Sequence, residues 1–422
     1  MTDPDTRNRI LRVTGPGSFG ELSTTAFKGF DGGWRQLWNA NSTRFLVVSW
    51  NSVLVKNTMN RVDFNPSTMT ITGRAPVPYQ FTDVEWDQNN PDLLVGIASG
   101  EAKTYNVATK VWTTIFNPAT TNWGGKAWLS AWGGNSVCIA EGPQDTGHRL
   151  ACYDRAAKTA RVFNLRAQTV NGAKFPVYYK GGQVTLPGNI SVHTAIMSPD
   201  GNWMALDTHN NKACSVGTLS NYAITSLIID LRHNVGYEFS VACGGTHWAY
   251  GYDSVMVQSA SPKWTSAGAV GPCNSDSRGI GRRRTDGAID SSYVSSAPCR
   301  FFSPATWNVS VHLSWTNNRN DTNVNKYPIV LATSNEGVTN SFMWNEIAAM
   351  EMGTDPYKAR LWRFAQTWND RSNEQCGFLA YASPSVSRDG KWALFLSDWK
   401  GQTGTGACRN GRRTDIFVFE LK

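Results

Sequence analysis

The sequence predicts an all-β fold made of seven sheet repeats arranged in a ring. Three observations predict it. The first is a duplicated phrase. Ser191-Val-His-Thr-Ala-Ile-Met-Ser-Pro-Asp-Gly-Asn-Trp-Met-Ala-Leu206 returns as Tyr381-Ala-Ser-Pro-Ser-Val-Ser-Arg-Asp-Gly-Lys-Trp-Ala-Leu-Phe-Leu396. In both, a Ser-x-Asp-Gly turn separates two apolar runs, and Gly tolerates the positive φ that a tight hairpin turn needs. The second is that weaker versions recur. Leu37–Val48 has Asn in place of Asp, and Val84–Gly96 has a Pro-Asp turn. The third is the last segment, Asp415–Leu421, which alternates as a strand and can pair with the N-terminal segment. Such pairing would close the ring and remove exposed sheet edges.

Seven repeat starts follow, near Trp34, Asp83, Trp128, His193, His247, His312 and Tyr381. Their spacing of about 45 to 70 residues matches or exceeds the roughly 40–50 residues of a propeller blade. Between the starts lie short strands at Arg61–Phe64, Ala102–Asn106, Leu150–Tyr153, Ser226–Asp230 and Ile329–Ala332. Thr104–Thr114 reads as strand, turn, strand, the outer hairpin of a blade. One stretch, Trp344–Met352, reads as a helix within the sixth repeat. No linker marks a boundary, so residues 1–422 are expected to form a single seven-bladed β-propeller. With 38 Gly and 18 Trp, the chain can supply both the turns and the large rings that pack blade on blade.

The Ser-Pro-Asp-Gly-x-Trp phrase at Ser198–Trp203 and its Ser-Arg-Asp-Gly-x-Trp counterpart at Ser387–Trp392 resemble the blade signature of TolB-type and WD40-like seven-bladed propellers. The resemblance implies architecture and not activity, because propellers host many functions.

Apolar runs are all broken by polar residues within about ten positions, too short for a transmembrane helix. The polar start Met1–Arg9 lacks the apolar core of a secretory leader. Eight cysteines nonetheless fall into neighbour pairs: Cys138/Cys152, Cys214/Cys243, Cys273/Cys299 and Cys376/Cys408. None has Cys-x-x-Cys spacing. Read as disulfides, they place the protein in an oxidising compartment, extracellular or periplasmic; read as thiols, they are small core hydrophobes. Sequons stand at Asn41, Asn189, Asn308 and Asn320.

The net charge is +8. Much of it is local: Arg278, Arg282, Arg283 and Arg284 lie in the Gly-rich insertion Ser266–Ser292, and Arg409, Arg412 and Arg413 in Gly401–Thr414. These arginines suit an acidic polysaccharide, or they are solvated loop charges. No helix-turn-helix, RRM or zinc-finger pattern supports nucleic acid as a partner.

Three of the six histidines, His193, His247 and His312, open consecutive repeats and are expected at one channel mouth. Three imidazoles plus water suit a divalent metal. Alternatively, one is a general base, or each packs with a satisfied hydrogen bond. His247 is joined by Tyr250, Tyr252 and Asp253 beside glycines. His312 is followed by Trp315, Asn317, Asn318 and Arg319. Aromatic faces beside amides and a guanidinium suit a sugar bearing a carboxylate. The expected acid–base pair is His247 with Tyr252; Arg319 neutralises the carboxylate, and Tyr250, Trp315, Asn317, Arg282 and Arg283 bind substrate.

This set is similar to the sites of propeller-fold polysaccharide lyases, and that resemblance implies β-elimination on uronates with a cation at the carboxylate. No Gly-x-Ser-x-Gly elbow, phosphate loop or dinucleotide fingerprint offers another chemistry. Paired carboxylates from Asp207, Asp253 and Glu346 remain open to a glycosidase reading. A non-catalytic binding or structural propeller of the cell surface or matrix is the competing class. Mass spectrometry without reduction should find the four neighbour-pair disulfides; eight free thiols would overturn both the pairing and the compartment.

Overall fold

In the computed structural model both Ser-x-Asp-Gly phrases fold into the same turn. Ser198 N donates to the Trp203 carbonyl (2.9 Å), Gly201 N to the Ser198 carbonyl (2.8 Å) and Trp203 N to Ser198 Oγ (3.0 Å). The Ser387 copy repeats these bonds at 2.8, 2.9 and 3.0 Å. Each serine hydroxyl also donates to its own aspartate, Asp200 or Asp389. Gly201 and Gly390 take φ of +75° and +73°, where a Cβ would be strained. The serine thus satisfies three backbone groups at once, which is why the phrase is repeated.

The structure describes residues 7–20, 25–28, 35–51, 56–121, 123, 125–143, 146–179, 182–209, 226–239, 248–250, 255–260, 279–284, 309–317, 327–335, 343, 345–351, 360–368, 382–404 and 413–421. Among the described residues the strands form seven sheets, in chain order. Sheet I is Thr25–Lys28, Arg44–Asn51, Lys56–Asn65 and Thr70–Pro76. Sheet II is Phe81–Trp86, Leu93–Ala98, Glu101–Asn106 and Trp112–Phe116. Sheet III begins Lys126–Gly133, Ser136–Gly142, Arg149–Asp154 and Thr159–Asn164, then adds Thr169–Val170 and Ala173–Lys174. Sheet IV is Ser191–Met197, Trp203–His209, Ser226–Asp230 and Val235–Phe239. Val177–Tyr179 joins it in parallel, followed by Gly182–Val184. Sheet V is Trp248–Tyr250, Val255–Ala260 and Gly279–Arg284. Sheet VI is Val309–Ser314, Ile329–Asn335, Glu346–Glu351 and Arg360–Gln366. Sheet VII is Ser385–Val386, Trp392–Ser397 and Asp415–Glu420, completed by Ile10–Arg12 from the other end of the chain.

The fold is all-β, and the strands expected from the sequence lie within these sheets. One element differs. The stretch expected as a helix, Trp344–Met352, contains the strand Glu346–Glu351, whose Ile347, Ala348, Ala349 and Met350 are all buried. Its Ala, Glu and Met residues are good helix formers, but a strand covered on both faces also reads as a continuous apolar run. The expected insertion Ser266–Ser292 also differs, because Gly279–Arg284 is a strand paired with Val255–Ala260.

Each core cluster spans neighbouring sheets. Val95, Ile97 and Phe116 of sheet II pack with Val137 and Ile139 of sheet III. Sheets III and IV share Leu129, Leu150, Met204 and Leu227. Sheets V and VI share Ala249, Val311 and Leu313. Sheets VI and VII share Val330, Ile347, Phe395 and Phe417. A further cluster joins sheets VII, I and II through Trp392, Phe45, Phe64 and Val84. Sheets VII and I are also bonded directly. Phe27 N donates to the Thr414 carbonyl (2.9 Å), Trp38 Nε1 to the Ser385 carbonyl (3.0 Å) and Asp389 N to Ser42 Oγ (3.1 Å).

The chain ends are tied by a buried carboxylate. Ile10, Leu11 and Arg12 pair with Phe419, Val418 and Phe417. Asp415 accepts from Arg12 Nε (2.9 Å), Thr14 Oγ1 (2.9 Å) and Arg413 Nε (2.8 Å). Arg413 was expected among the loop arginines; it is instead fully buried, stacked 5.0 Å from the Phe27 ring centroid. Its charge therefore serves packing and not the surface. Asp415→Ala should cost about 3–5 kcal/mol by leaving these guanidiniums unbalanced. Arg9→Ala, which breaks the exposed Arg9–Glu420 pair (2.7 Å), should cost less than about 1 kcal/mol. Urea midpoints would check the difference, and equal losses would refute it.

Candidate functional site

The described residues enclose one central pocket to which all seven sheets contribute. Arg35 and Gln36 come from the segment between the first two strands of sheet I, and Glu85 from the first strand of sheet II. Sheet III adds Ser130 and Trp132, sheet IV Ile196 and Pro199, and sheet V Ala249. Trp315 follows the first strand of sheet VI, and Arg388 follows that of sheet VII. The empty space is about 550 Å³, including its opening to solvent.

The polar side of the pocket is built on two carboxylates of one strand. In Phe81–Trp86, Asp83 and Glu85 are two residues apart and so share a face. The strand bulges between Phe81 and Asp83, and Gly96 opposite lets the backbones meet; a Cβ there would fall 2.0 Å from the Asp83 carbonyl oxygen. Asp83 pairs with Arg35 (2.7 Å) and accepts from Ser130 N (2.7 Å) and Ser130 Oγ (2.9 Å). Trp132 Nε1 in turn donates to Ser130 Oγ (2.9 Å). Glu85 accepts from Gln36 N (3.0 Å).

Burial pushes the Glu85 carboxyl up to about 7, against the pull of Arg35 and the Gln36 amide; Asp83 and Asp87 add to the rise. Arg388 is 4% exposed and donates to the Thr316 carbonyl. Its turn is the Ser387 phrase, where the Ser198 copy has Pro199, and both residues line the pocket. A charged residue in place of Pro at a repeated turn is the signal in the sequence that could have found Arg388. Two acids alternating in an otherwise apolar first strand could have found Glu85.

The expected site residues are distributed as follows. His193 is the bulged residue of its strand, between Val192 paired with Thr208 and Thr194 paired with Asp207, and is partly exposed. Thr82 and Trp128 occupy the matching bulges of sheets II and III. His312 pairs regularly with Ala332, is fully buried, and has Nδ1 3.2 Å from Ser383 Oγ. Neither His193 nor His312 lines the pocket. His247, Tyr252 and Arg319 lie outside the described residues.

Trp315 lines the pocket, with Nε1 donating to the Tyr327 carbonyl (2.7 Å). Asn317 is buried and donates to the Pro328 carbonyl (3.0 Å). Tyr250, Arg282 and Arg283 stand on strands of sheet V, where Tyr250 pairs with Met256, Arg282 with Val257 and Arg283 with Met256. Glu346 is held by Arg363 in sheet VI, Asp207 is buried in sheet IV, and Asp253 lies outside the described residues.

Among the described residues no three His, Cys, Asp or Glu side chains form a set that could hold a metal ion. Cys138 and Cys152 face each other on neighbouring strands of sheet III and are disulfide-bonded. The other six cysteines lie outside the described residues. No described helix is long and apolar enough to cross a membrane.

No protein-family model matches the chain, and no curated protein matches it. Solved structures do. An oligogalacturonate lyase in complex with manganese is similar at a TM-score of 0.55 and 11% identity, over 100% of this chain and 95% of that one. An oligogalacturonate lyase from Vibrio parahaemolyticus is similar at 0.54 and 10% identity, over 100% and 96%. The Myceliophteria thermophila Cps50 (Swd1) β-propeller domain matches at 0.44 and 10% identity, over 94% and 100%. The chain has a β-propeller-like fold. At this identity the likeness extends to the fold alone.

Glu85 makes stability depend on pH. Between its ordinary value of 4.5 and about 7 the folded state holds more protons than the unfolded one, so stability falls as pH rises. Below 4.5 both states are protonated and Glu85 contributes nothing. Glu85→Gln should therefore stabilise the protein above pH 7, by at most about 3 kcal/mol, and change little at pH 4. Melting temperatures from pH 4 to 8 would check it. A gap that does not widen with pH would refute it.

Proposed function

We propose that the chain is a secreted, closed seven-bladed propeller that acts on a uronate-containing polysaccharide, cleaving it by β-elimination at its central channel. The observation that carries this reading is the pocket itself, whose lining includes Arg35 and Arg388 as well as Trp132 and Trp315. Guanidinium groups beside aromatic faces suit a sugar ring carrying a carboxylate. The closed ring is supported by the seven sheets among the described residues, by the contacts of sheet VII with sheet I, and by the pairing of the two chain ends. The Cys138–Cys152 bridge supports an oxidising compartment. The oligogalacturonate-lyase likeness supports the substrate class by analogy of fold.

In this reaction a base removes the proton α to the uronate carboxylate. The electron pair forms a C4=C5 double bond, the C4–O bond to the neighbouring sugar breaks, and the departing oxygen takes a proton. Negative charge builds on the carboxylate, so cations must stand there. His247 with Tyr252 is the proposed acid–base pair, with Arg319 at the carboxylate. Tyr250, Trp315, Asn317, Arg282 and Arg283 are the proposed substrate contacts. His193, His247 and His312 are the proposed metal set. The described residues do not supply a ligand set on their own, and no step here runs through a metal.

A second reading, a non-catalytic glycan-binding or scaffold propeller, is favoured by the tryptophans in the channel, since Trp315 is 1% and Trp132 7% exposed. Incubation with a panel of uronate polysaccharides, with and without chelator, should release unsaturated product seen by ultraviolet absorbance. His247→Ala should reduce the rate by at least about 100-fold if it transfers the proton. Glycan binding without product from any polymer would replace the first reading with the second.

A further inference from the structure

Three residues hold backbone angles that their side chains resist, and they meet at one place. Trp368 follows the last strand of sheet VI and has φ of +54°. Trp399 and Lys400 follow the strand Trp392–Ser397 of sheet VII and have φ of +48° and +54°. No other aromatic residue among the described residues takes a left-handed backbone. A turn that only reverses the chain would place Gly or Asn at such positions. A bulky side chain there is strained, and it persists only where its surroundings enforce it.

The surroundings here fix two indoles and an ammonium. Lys400 N donates to the Trp368 carbonyl (2.7 Å), and Trp399 N to Ser397 Oγ (2.8 Å). Ser397 Oγ in turn donates to the Thr367 carbonyl. The Trp399 ring stacks on Phe417 at 4.9 Å, and Phe417 on Phe395 at 5.4 Å, so the core of sheet VII backs it. The Trp368 and Trp399 rings stand 6.2 Å apart, tilted by 43°. Lys400 Nζ lies 4.3 Å from the Trp368 ring centroid. Both indoles are only partly buried, and Lys400 is exposed. Among the described residues Lys400 makes no ion pair, so the ring alone holds its charge in place.

We propose that Trp368, Trp399 and Lys400 form a second carbohydrate site, for a uronate unit of an acidic polysaccharide: the sugar ring packs against the indoles, and its carboxylate pairs with the Lys400 ammonium. The choice of a uronate rests on the proposed function. The C–H face of a sugar ring matches the apolar face of an indole. A carboxylate offers the ammonium a charge-assisted hydrogen bond, a stronger partner than the ring. None of the three residues lines the central pocket. Arg388 of the pocket precedes the six-residue strand Trp392–Ser397 and Trp399 follows it, so about 20 Å of strand separates the two places. A polymer held at both would be retained more firmly than at either alone.

Acetylation of lysines, quantified residue by residue by mass spectrometry, tests this. Polygalacturonate at about ten times its Kd should slow acetylation of Lys400 about tenfold. Lys110 and Lys158, exposed on turns of sheets II and III, should be unaffected. Neutral galactan supplies rings without charge, and polyglutamate supplies carboxylates without rings; neither should protect Lys400. Trp399→Ala should raise the polygalacturonate concentration needed for half protection about tenfold. Trp368→Ala is the second variant, because Trp399 also packs on the core, and circular dichroism checks that each is folded.

No protection of Lys400 by polygalacturonate, equal protection by polyglutamate or galactan, equal protection of Lys110 and Lys158, or protection indifferent to both tryptophan variants would overturn the proposal. The lyase assay separates the two readings. Protection of Lys400 by polygalacturonate without unsaturated product from any polymer sinks the β-elimination reading and leaves this site standing. Unsaturated product with no protection of Lys400 does the reverse.

Discussion

The rest of the structure depends on sheets packing face to face in series. Buried apolar clusters join sheets II and III, III and IV, V and VI, VI and VII, and VII with I and II. The chain's first strand, Ile10–Arg12, lies in its last sheet. Asp415 holds that junction: it is wholly buried and satisfied by Arg12, Thr14 and Arg413, which come from both ends of the sequence. A buried ion pair is weak evidence of stability in itself, because desolvation offsets its attraction. Its value here is registry, since one carboxylate ties Arg12 and Thr14 to the final strand in a single alignment.

The same geometry makes the pocket. The residues that line the pocket come from strands, or from segments beside strands, of separate sheets. Hydrogen bonds across neighbours then set the pocket walls: Gln36 to Glu85, Ser130 to Asp83, and Gly134 to Pro199, the last at 2.9 Å. Tryptophans narrow the space, and water has little access to Glu85. The raised proton affinity of that carboxyl is therefore a consequence of the packing that supports the whole fold.

The fold was legible in the sequence because its signals are local. A Ser-x-Asp-Gly turn is made by bonds within six residues, and alternation along a strand spans about as many. The short strands and the pairing of the last strand with the first could be read from such phrases. The helix expected at Trp344–Met352 failed where local propensity met a doubly buried strand, whose Ile347–Met350 run has no period to read. Arg413 was placed with loop charges because its partner Asp415 and the Phe27 ring it covers are identified by contact and not by spacing.

The site was less legible. Sequence reasoning favoured His193, His247 and His312 at equivalent repeat positions, and the two of these that are described differ locally: His193 sits on a bulge, and His312 lies in a regular ladder. A bulge depends on how two strands pair, which residue type does not announce. By itself the sequence determined the strand phrases, their turns and their repetition, because these rest on backbone bonds and side-chain alternation over a few residues. Only the tertiary structure decided that Arg35, Glu85 and Arg388 share one cavity. They are 50 and 303 residues apart in order along the chain, and what unites them is the convergence of separate sheets on a common centre.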